Sequence, residues 1–219
     1  MSDQSPLPHR DEEFGLIETL LWTREDGYAL LPEHLARLAA SSAALGFRQD
    51  AEKVQAALAG AVAAAPAPRL RVRLVLSRDG AVETDATPVD SVGDIIWRGA
   101  RAARRFDSAD KLLRHKTTRR ALYEEELAAA ARRCGADEVL FLNERDELCE
   151  GARCNLFVPN EGALLTPPLS CGLLPGTLRA DLLARGRAME RILRLEDLPQ
   201  NFFMGNSVRG QVRATLIGD

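Results

Sequence analysis

The sequence predicts an α+β fold in two parts. A first series of strand-like and helical segments ends near residue 98, the composition then shifts to GARAARRFDSAD, and a second series starts with a helix and continues in short strands. With 219 residues, of which 46% are hydrophobic and 28% charged, the chain can bury a core without disulfides or metals. We therefore expect a small N-terminal α/β domain over 1–100 and a larger C-terminal domain over 110–219, with a linker at about 100–109.

The first half begins with strand and helix patterns in close succession. The composition of residues 14–22 predicts a strand, and the turn after it predicts a short strand over 28–31. Pro32 then opens a helix, because a proline loses no hydrogen bond in the first turn, and Gly46 ends it. A second, alanine-rich helix is predicted from about 51 to 65.

Alternating residues predict the next two strands. In RLRVRLVLS, the apolar residues Leu70, Val72, Leu74 and Leu76 alternate with arginines, so one face of the strand is buried and the other faces water. The pair Asp79-Gly80 predicts a tight turn into the second strand, AVETDA.

The second half follows a strand candidate at 94–98. Its first helix is predicted over 117–133, and a later helix begins at Gly176-Thr177 and ends near 185. Short strands are predicted at 138–142, 147–149, 154–158 and 163–166, and further strands in the tail over 189–217, with a turn at Asn206.

Composition excludes several classes of protein. No apolar run approaches the ~18 residues of a membrane helix, and the N-terminus has no apolar signal core, so we expect a soluble cytoplasmic protein. A net charge of −3 argues against a dedicated nucleic-acid binder. The sequence has no glycine-rich dinucleotide or P-loop motif. None of the four cysteines belongs to a C-x-x-C pair, so we expect no metal site.

Lys116 is one of only three lysines, and it lies among Arg114, Arg119 and Arg120. Neighbouring cations lower the pKa of an ammonium group, and a lysine nucleophile needs a lowered pKa to be a free amine near neutral pH. The alternative is a solvated basic start of a helix. Glu150 has two interpretations as well: a carboxylate that pairs with a protonated ring nitrogen, or a surface turn residue.

The loop before the second helix of this half offers a place for an anion. The segment Leu174-Pro175-Gly176-Thr177 precedes a helix whose first N–H groups and dipole suit a phosphate, although ordinary helix capping gives the same pattern. Ser207, next to Asn206, is either a hydroxyl donor to a ligand or a residue that stabilises a turn.

Together these segments resemble the class IV aminotransferases, the fold-type-IV enzymes that use pyridoxal 5'-phosphate. The motifs HKTT, EGARCNLF, TPPLSCGLLPG and NSVRG occur in the family's order and look most like the 4-amino-4-deoxychorismate lyase branch. The resemblance implies a small α/β sandwich, a larger β-barrel-like cofactor-binding domain with flanking helices, and a homodimer that acts on a small-molecule amino substrate.

The resemblance also implies roles for individual residues. Lys116 matches the lysine that binds the cofactor covalently, Glu150 matches the carboxylate that pairs with the pyridine nitrogen, and Thr19 falls where some lyases place an active-site threonine. The residues that match the family's phosphate contacts are Arg37, Thr177, Leu178 and Ser207.

The implied activity is a folate-pathway lyase that converts 4-amino-4-deoxychorismate to 4-aminobenzoate and pyruvate. An amino-acid transaminase of the same fold is the alternative, although Ala121 stands where branched-chain enzymes have a tyrosine. A third hypothesis comes from residues 98–120, which hold nine basic residues against two aspartates: a basic patch that binds nucleic acid or an acidic partner without catalysis.

Overall fold

The computed structural model describes residues 14–65, 67–91 and 93–218. The N-terminal segment on which we based the expected absence of a signal peptide lies mostly outside these residues. Among the described residues, no helix has both the length and the apolar character that are required to cross a membrane.

The first sheet is antiparallel and has four strands in the order β2-β1-β3-β4. These are β1 (Leu16–Thr23), β2 (Gly27–Tyr28), β3 (Arg69–Leu76) and β4 (Val82–Pro88). Two helices, α1 (Leu31–Leu45) and α2 (Ala51–Val62), cover one face. The predicted alternation in β3 is confirmed, since Leu70, Val72, Leu74 and Leu76 are buried with Leu38 of α1 and Val54 of α2.

The chain turns into α1 earlier than the sequence predicts. Leu30 has a left-handed backbone with φ of 53°, which ends the extended segment at Tyr28 and starts the helix at Leu31. The predicted strand over 28–31 is therefore wrong beyond its first residue. At the other end, Gly46 takes φ of 70° and ends the helix as predicted, because glycine adopts this conformation without a steric penalty.

The second sheet has eight strands in the order β10-β9-β8-β11-β12-β5-β6-β7. An additional pairing of β7 with β8 joins Glu150 to Asn155 and closes six of these strands into a barrel. The strands are β5 (Ile96–Arg101), β6 (Glu138–Leu142), β7 (Leu148–Gly151), β8 (Asn155–Asn160), β9 (Ala163–Thr166), β10 (Ala188–Glu190), β11 (Phe202–Asn206) and β12 (Gly210–Leu216).

Two helices flank this barrel, α3 (Ala121–Cys134) and α4 (Thr177–Ala184). Tyr123 of α3 packs edge-on against Phe106 and Phe141, whose rings stack with centroids 4.4 Å apart. Helix α3 begins at residue 121 rather than at the predicted 117, because the preceding residues bond to the first sheet instead of coiling.

The α+β class and the barrel with flanking helices are confirmed. Strand β5 pairs with β6 and β12, so residues 96–100 hydrogen-bond within the second sheet although the predicted division counted them with the first part. The division into domains stays a prediction. All four cysteines are free, and three of them are buried.

The seam between β7 and β8 is tightly packed at Gly151. A Cβ atom at this position would lie 2.5 Å from Cε of Met204 and 2.9 Å from the carbonyl oxygen of Val139. The carboxylate of Glu138 is fully buried beneath the turn that follows, where it accepts hydrogen bonds from the backbone N–H groups of Ala152 and Arg153. The closing turn of the barrel therefore has little freedom to adjust.

We predict opposite effects for two glycine-to-alanine substitutions. Gly151→Ala should lower the free energy of unfolding by about 1–3 kcal/mol, because the added methyl group overpacks the seam. At Gly60 in α2 an added Cβ atom would have no other atom within 4 Å. Gly60→Ala should therefore raise the free energy of unfolding by about 0.5–1 kcal/mol, because alanine has the higher helix propensity. Urea unfolding curves of both variants test this, and equal effects of the same sign would contradict the packing of the seam.

Candidate active site

Backbone hydrogen bonds hold the segment around Lys116 against the first sheet. The carbonyl oxygen of Lys116 accepts from the N–H of Ile17 at 2.8 Å, and the N–H of Thr118 donates to the carbonyl of Gly15 at 2.9 Å. The hydroxyl of Thr118 accepts from the N–H of Gly15 at 3.0 Å. This short antiparallel pairing fixes Lys116 at the start of β1, with its side chain half-buried.

The surroundings of Lys116 favour its neutral amine. The pKa of Lys116 is lowered to about 8. Burial is the largest cause, and the positive charges of Arg120 and Arg37 add to it more than the negative charges of Glu18 and Glu150 offset. With a pKa of about 8, roughly a tenth of the amine is neutral at pH 7, whereas an ordinary lysine has far less than 1%. The sequence predicted the influence of Arg120 but not that of Arg37.

Glu150 is the buried carboxylate of the barrel seam. Its side chain accepts hydrogen bonds from the hydroxyl of Tyr123 at 3.2 Å and from Nδ2 of Asn155 at 3.4 Å. Burial nevertheless raises the pKa of Glu150 to about 8, because these donors and the nearby cations only partly replace lost water. A positively charged ligand group next to Glu150 would therefore stabilise its ionised form.

Arg120 lies between the two titratable groups. Its guanidinium donates to the carbonyl oxygen of Ala152 and lies over the ring of Tyr123, with 4.8 Å from Cζ to the ring centroid. Its charge lowers the pKa of both Lys116 and Glu150. Arg120 therefore biases Lys116 toward the amine and Glu150 toward the carboxylate.

The N-terminus of α4 has free hydrogen-bond donors. Its N-cap residue is Gly176, and no side chain caps the helix. A Cβ atom at Gly176 would lie 1.9 Å from Oδ1 of Asn155, so only glycine fits between α4 and β8. Thr177 is buried here, and the side chain of Leu178 packs with Phe157 in an apolar cluster, so Leu178 can offer only its N–H to a ligand.

Arg37 of α1 reaches the same loop. Its Nη1 donates to the carbonyl oxygen of Pro175 at 3.2 Å, while Nε and Nη2 bind the carboxylate of Glu18 at 2.9 and 2.6 Å. The structure thus brings together Arg37 and Thr177, two of the residues that the sequence associated with a phosphate. A groove of about 450 Å³ is lined by both, but neither Lys116 nor Glu150 lines it, so it adjoins only this end of the site.

Ser207 and Thr19 are in contact with each other, between the turn that joins β11 to β12 and strand β1. The hydroxyl of Ser207, in the turn between β11 and β12, donates to the carbonyl oxygen of Thr19 at 3.2 Å. Thr19 is half-buried and pairs with Arg73 of β3, and strand alternation places its side chain on the face opposite Glu18. The structure therefore brings these two predicted residues next to each other, and their contact with a ligand stays a prediction.

The sequence analysis missed four polar residues of the site, namely Glu18, His34, Tyr123 and Asn155, and it did not predict that Arg37 acts on Lys116. One of the four had a recognisable pattern. Glu18 shares a strand face with Leu16 and Leu20, which are both in the core, and a carboxylate at a core-facing position requires a buried partner. The other three are ordinary polar residues in helices or strands until the fold brings them together.

No cluster of three or more histidine, cysteine or acidic side chains that could bind a metal occurs within the part of the chain that the structure describes.

Comparisons with known proteins agree with this geometry. The family described as "Amino-transferase class IV" matches residues 15–217. A protein of Schizosaccharomyces pombe named "Putative aminodeoxychorismate lyase" is 30% identical over 218 residues, which cover 94% of this chain and 91% of the relative.

Solved structures give the same family. A "Putative amino-acid aminotransferase" from Mesorhizobium loti superposes with a TM-score of 0.89 at 42% identity, covering 94% of this chain and all of that one. The PLP-bound form of "A hypothetical aminotransferase" from Mycobacterium tuberculosis superposes with a TM-score of 0.82 at 25% identity, covering all of this chain and 88% of that one.

The lowered pKa of Lys116 gives a testable pH dependence. In cofactor-free protein, arylation of Lys116 by trinitrobenzenesulfonate should become faster as pH rises, with a midpoint at about pH 8 and a plateau roughly one pH unit higher, because only the neutral amine reacts. Arg120→Gln removes a nearby cation and should move this midpoint to higher pH.

Peptide mapping measures the rate at each lysine, and the exposed Lys53 and Lys111 provide internal references in the same digest. An unchanged or lower midpoint in Arg120→Gln would contradict the electrostatic role of Arg120.

Proposed function

This chain belongs to the class IV aminotransferases, and we propose that it is a pyridoxal-phosphate-dependent lyase that converts 4-amino-4-deoxychorismate to 4-aminobenzoate and pyruvate, a step of folate synthesis. The cofactor-dependent part of the proposal is supported by a buried amine, Lys116, whose pKa is lowered, and by a buried carboxylate, Glu150, close enough for their charges to interact. The S. pombe relative, which is named as a lyase, supports this branch over others.

The residues present fit pyridoxal phosphate. Lys116 would supply the amine that binds its aldehyde, and Glu150 would supply the carboxylate for its ring nitrogen. The phosphate group would be held by Arg37 and by the N–H groups of Thr177 and Leu178. The hydroxyl of Ser207 would join them only by releasing the carbonyl oxygen of Thr19, because a hydroxyl has a single donor. Gly176 keeps this helix end open, because any larger residue would collide with Asn155. When bound, the cofactor supplies an electron sink for the bond that breaks at the carbon bearing the amine.

Lys116 has the properties of the general base in this reaction. Once the amine of the substrate has displaced Lys116 from the cofactor aldehyde, the freed amine of Lys116 would remove the proton from the aminated ring carbon. This requires that Lys116 be neutral, and its lowered pKa favours this form near neutral pH. The bond between the ring and the enolpyruvyl oxygen then breaks, and the ring becomes aromatic. The proton held by Lys116 can return to the methylene carbon of the released enolpyruvate, which yields pyruvate.

Glu150 has the properties of the group that holds the cofactor nitrogen protonated. Tyr123 and Asn155 donate to its carboxylate and fix its orientation, since each bonds a different oxygen. Because burial raises the pKa of Glu150, its ionised form gains stability when a cation is next to it. We assign to Thr19 the orientation of substrate, since its carbonyl oxygen is bound by Ser207 of the turn between β11 and β12 and its side chain lies on the strand face opposite Glu18.

A transaminase is the second candidate. The M. loti and M. tuberculosis structures are both named aminotransferases, and the same lysine and carboxylate serve proton transfer in either reaction. Ala121, where branched-chain enzymes have a tyrosine, disfavours that particular transaminase.

The basic-patch hypothesis has less support from the structure. Several arginines of the 98–120 tract bind carboxylates: Arg98 pairs with Asp137, Arg104 with Glu125 and Glu126, and Arg105 with Asp146. These pairs reduce the cationic surface that a nucleic acid would need. The cytoplasmic location and the homodimer stay predictions.

We predict that the purified protein, reconstituted with pyridoxal phosphate, forms 4-aminobenzoate and pyruvate from 4-amino-4-deoxychorismate. Lys116→Ala should lower this rate at least about 100-fold, because it removes the general base. Lys111→Ala, at an exposed lysine five residues earlier, provides the matched control and should retain the rate. Alanine accumulation from pyruvate and an amino donor, without 4-aminobenzoate formation, would contradict the lyase and identify a transaminase.

We also predict that Glu150→Gln lowers kcat by about tenfold or more while the cofactor stays bound. Glutamine has no negative charge to hold the proton on the ring nitrogen, and a fall of one unit in the pKa of that nitrogen corresponds to a factor of ten. Glu147→Gln is the control, because Glu147 is also buried but pairs with Arg145. Both rates follow from 4-aminobenzoate fluorescence, and equal losses in the two variants would argue for general destabilisation.

A further inference from the structure

Glu18 lies at the centre of a buried chain of hydrogen bonds, and neither Glu18 nor its partner His34 has a role in the proposed chemistry so far. It lies on β1 with 3% of its surface exposed, and it contacts two residues of α1. Its carboxylate binds Nε and Nη2 of Arg37 through two separate oxygens and binds Nδ1 of His34 at 2.5 Å. Nε2 of the same histidine lies 3.2 Å from the hydroxyl oxygen of Thr177 at the start of α4.

We propose that Glu18 and His34 are positioning residues that hold Arg37 and the N-terminus of α4 together as one phosphate-binding unit. This inference rests on the proposed function, because the anion that the unit would bind is the cofactor phosphate. Glu18 acts on Arg37 directly and on Thr177 through His34. A single carboxylate on the first sheet thereby sets the geometry of two groups, one of which belongs to the barrel half.

Counting donors shows what remains for an anion. A guanidinium has five N–H donors, and Arg37 uses three of them on Glu18 and Pro175. One donor on each terminal nitrogen is left, which is the pair that binds two oxygens of a phosphate. Because the other three bonds prevent the side chain from rotating, these two donors have a fixed direction.

His34 connects Glu18 to the N-terminus of α4 in either protonation state of its ring. The ionised carboxylate of Glu18 is an acceptor only, so Nδ1 of His34 donates to it. Nε2 then accepts from the hydroxyl of Thr177 when the ring is neutral and donates to it when the ring is charged. In both cases the side chain of Thr177 is bound to His34, and its backbone N–H remains available to the phosphate.

The hydrogen-bond partners of Glu18 keep its carboxylate ionised. Burial alone would raise the pKa of Glu18, but Arg37 and His34 outweigh burial and hold it below the usual value. The carboxylate therefore stays ionised near neutral pH, which is the form that accepts from both partners.

The decisive variant is Glu18→Asp, which keeps the charge but withdraws the carboxylate by one methylene group. It should no longer reach both Arg37 and His34. We expect the preference for pyridoxal phosphate over pyridoxal, measured as the ratio of their dissociation constants, to fall about tenfold or more. The probes differ only in the phosphate, so a purely structural loss would weaken both equally and leave the ratio unchanged.

Glu126→Asp is the matched control. Glu126 is also buried, and its carboxylate accepts from the side chain of Arg104 and the backbone N–H of Ala103, neither of which is one of the proposed phosphate contacts. Glu126→Asp should therefore leave the ratio of the two dissociation constants unchanged.

His34→Asn provides a second test in case Glu18→Asp does not fold. Asparagine leaves the pair of Glu18 and Arg37 intact but cannot span from Glu18 to Thr177, so the ratio should again fall.

Titration of cofactor-free protein, followed by the visible absorbance of the lysine-bound ligand, measures both constants without any turnover. If the wild-type protein prefers pyridoxal phosphate over pyridoxal and Glu18→Asp retains this preference in full, the inference is overturned and the proposed function is unaffected. A wild-type protein that binds the two probes equally would overturn both. Failure of the lyase assay alone does not affect the ratio.

Discussion

The pairing of residues 116–118 with the start of β1 is the contact on which the site depends. It holds Lys116 against the first sheet, although the chain that follows leads directly into α3 and the barrel. Glu150 lies in the barrel, at the seam where β7 and β8 pair. The amine and the carboxylate therefore reach one site only when both sheets are formed, so the integrity of the seam and the geometry of the site are linked.

Charge balance gives the site its chemical character. Two arginines, Arg37 and Arg120, lower the pKa of Lys116, and two carboxylates, Glu18 and Glu150, offset part of that effect. The arginines are themselves restrained by hydrogen bonds to a carboxylate or to backbone carbonyl oxygens, which fix their position. An anionic cofactor would enter a site whose cations are already oriented, which reduces the reorganisation that binding requires.

Local patterns were enough to predict most elements of the fold. Alternation in β3 identified its buried face, and Gly46 ended α1 as expected, because both depend on residues that are close in sequence. The errors have a common origin. The segment before α3 has helical composition but is extended, since its backbone donors and acceptors bond to β1, a strand about 100 residues away. The left-handed Leu30 likewise ended a strand that composition alone favoured.

The sequence by itself determined the α+β class, the order of the elements and, through spaced motifs, the family, and it selected Lys116 and Glu150 as candidate site residues. Only the tertiary structure decided which groups surround them. Arg37 acts on Lys116, and Glu18 reaches α4 through His34, because α1 and β1 pack against a loop more than 130 residues further along the chain. Short-range periodicity reports which side of a strand or helix is buried, whereas electrostatic and hydrogen-bond partners depend on distances that exist only after the sheets have packed.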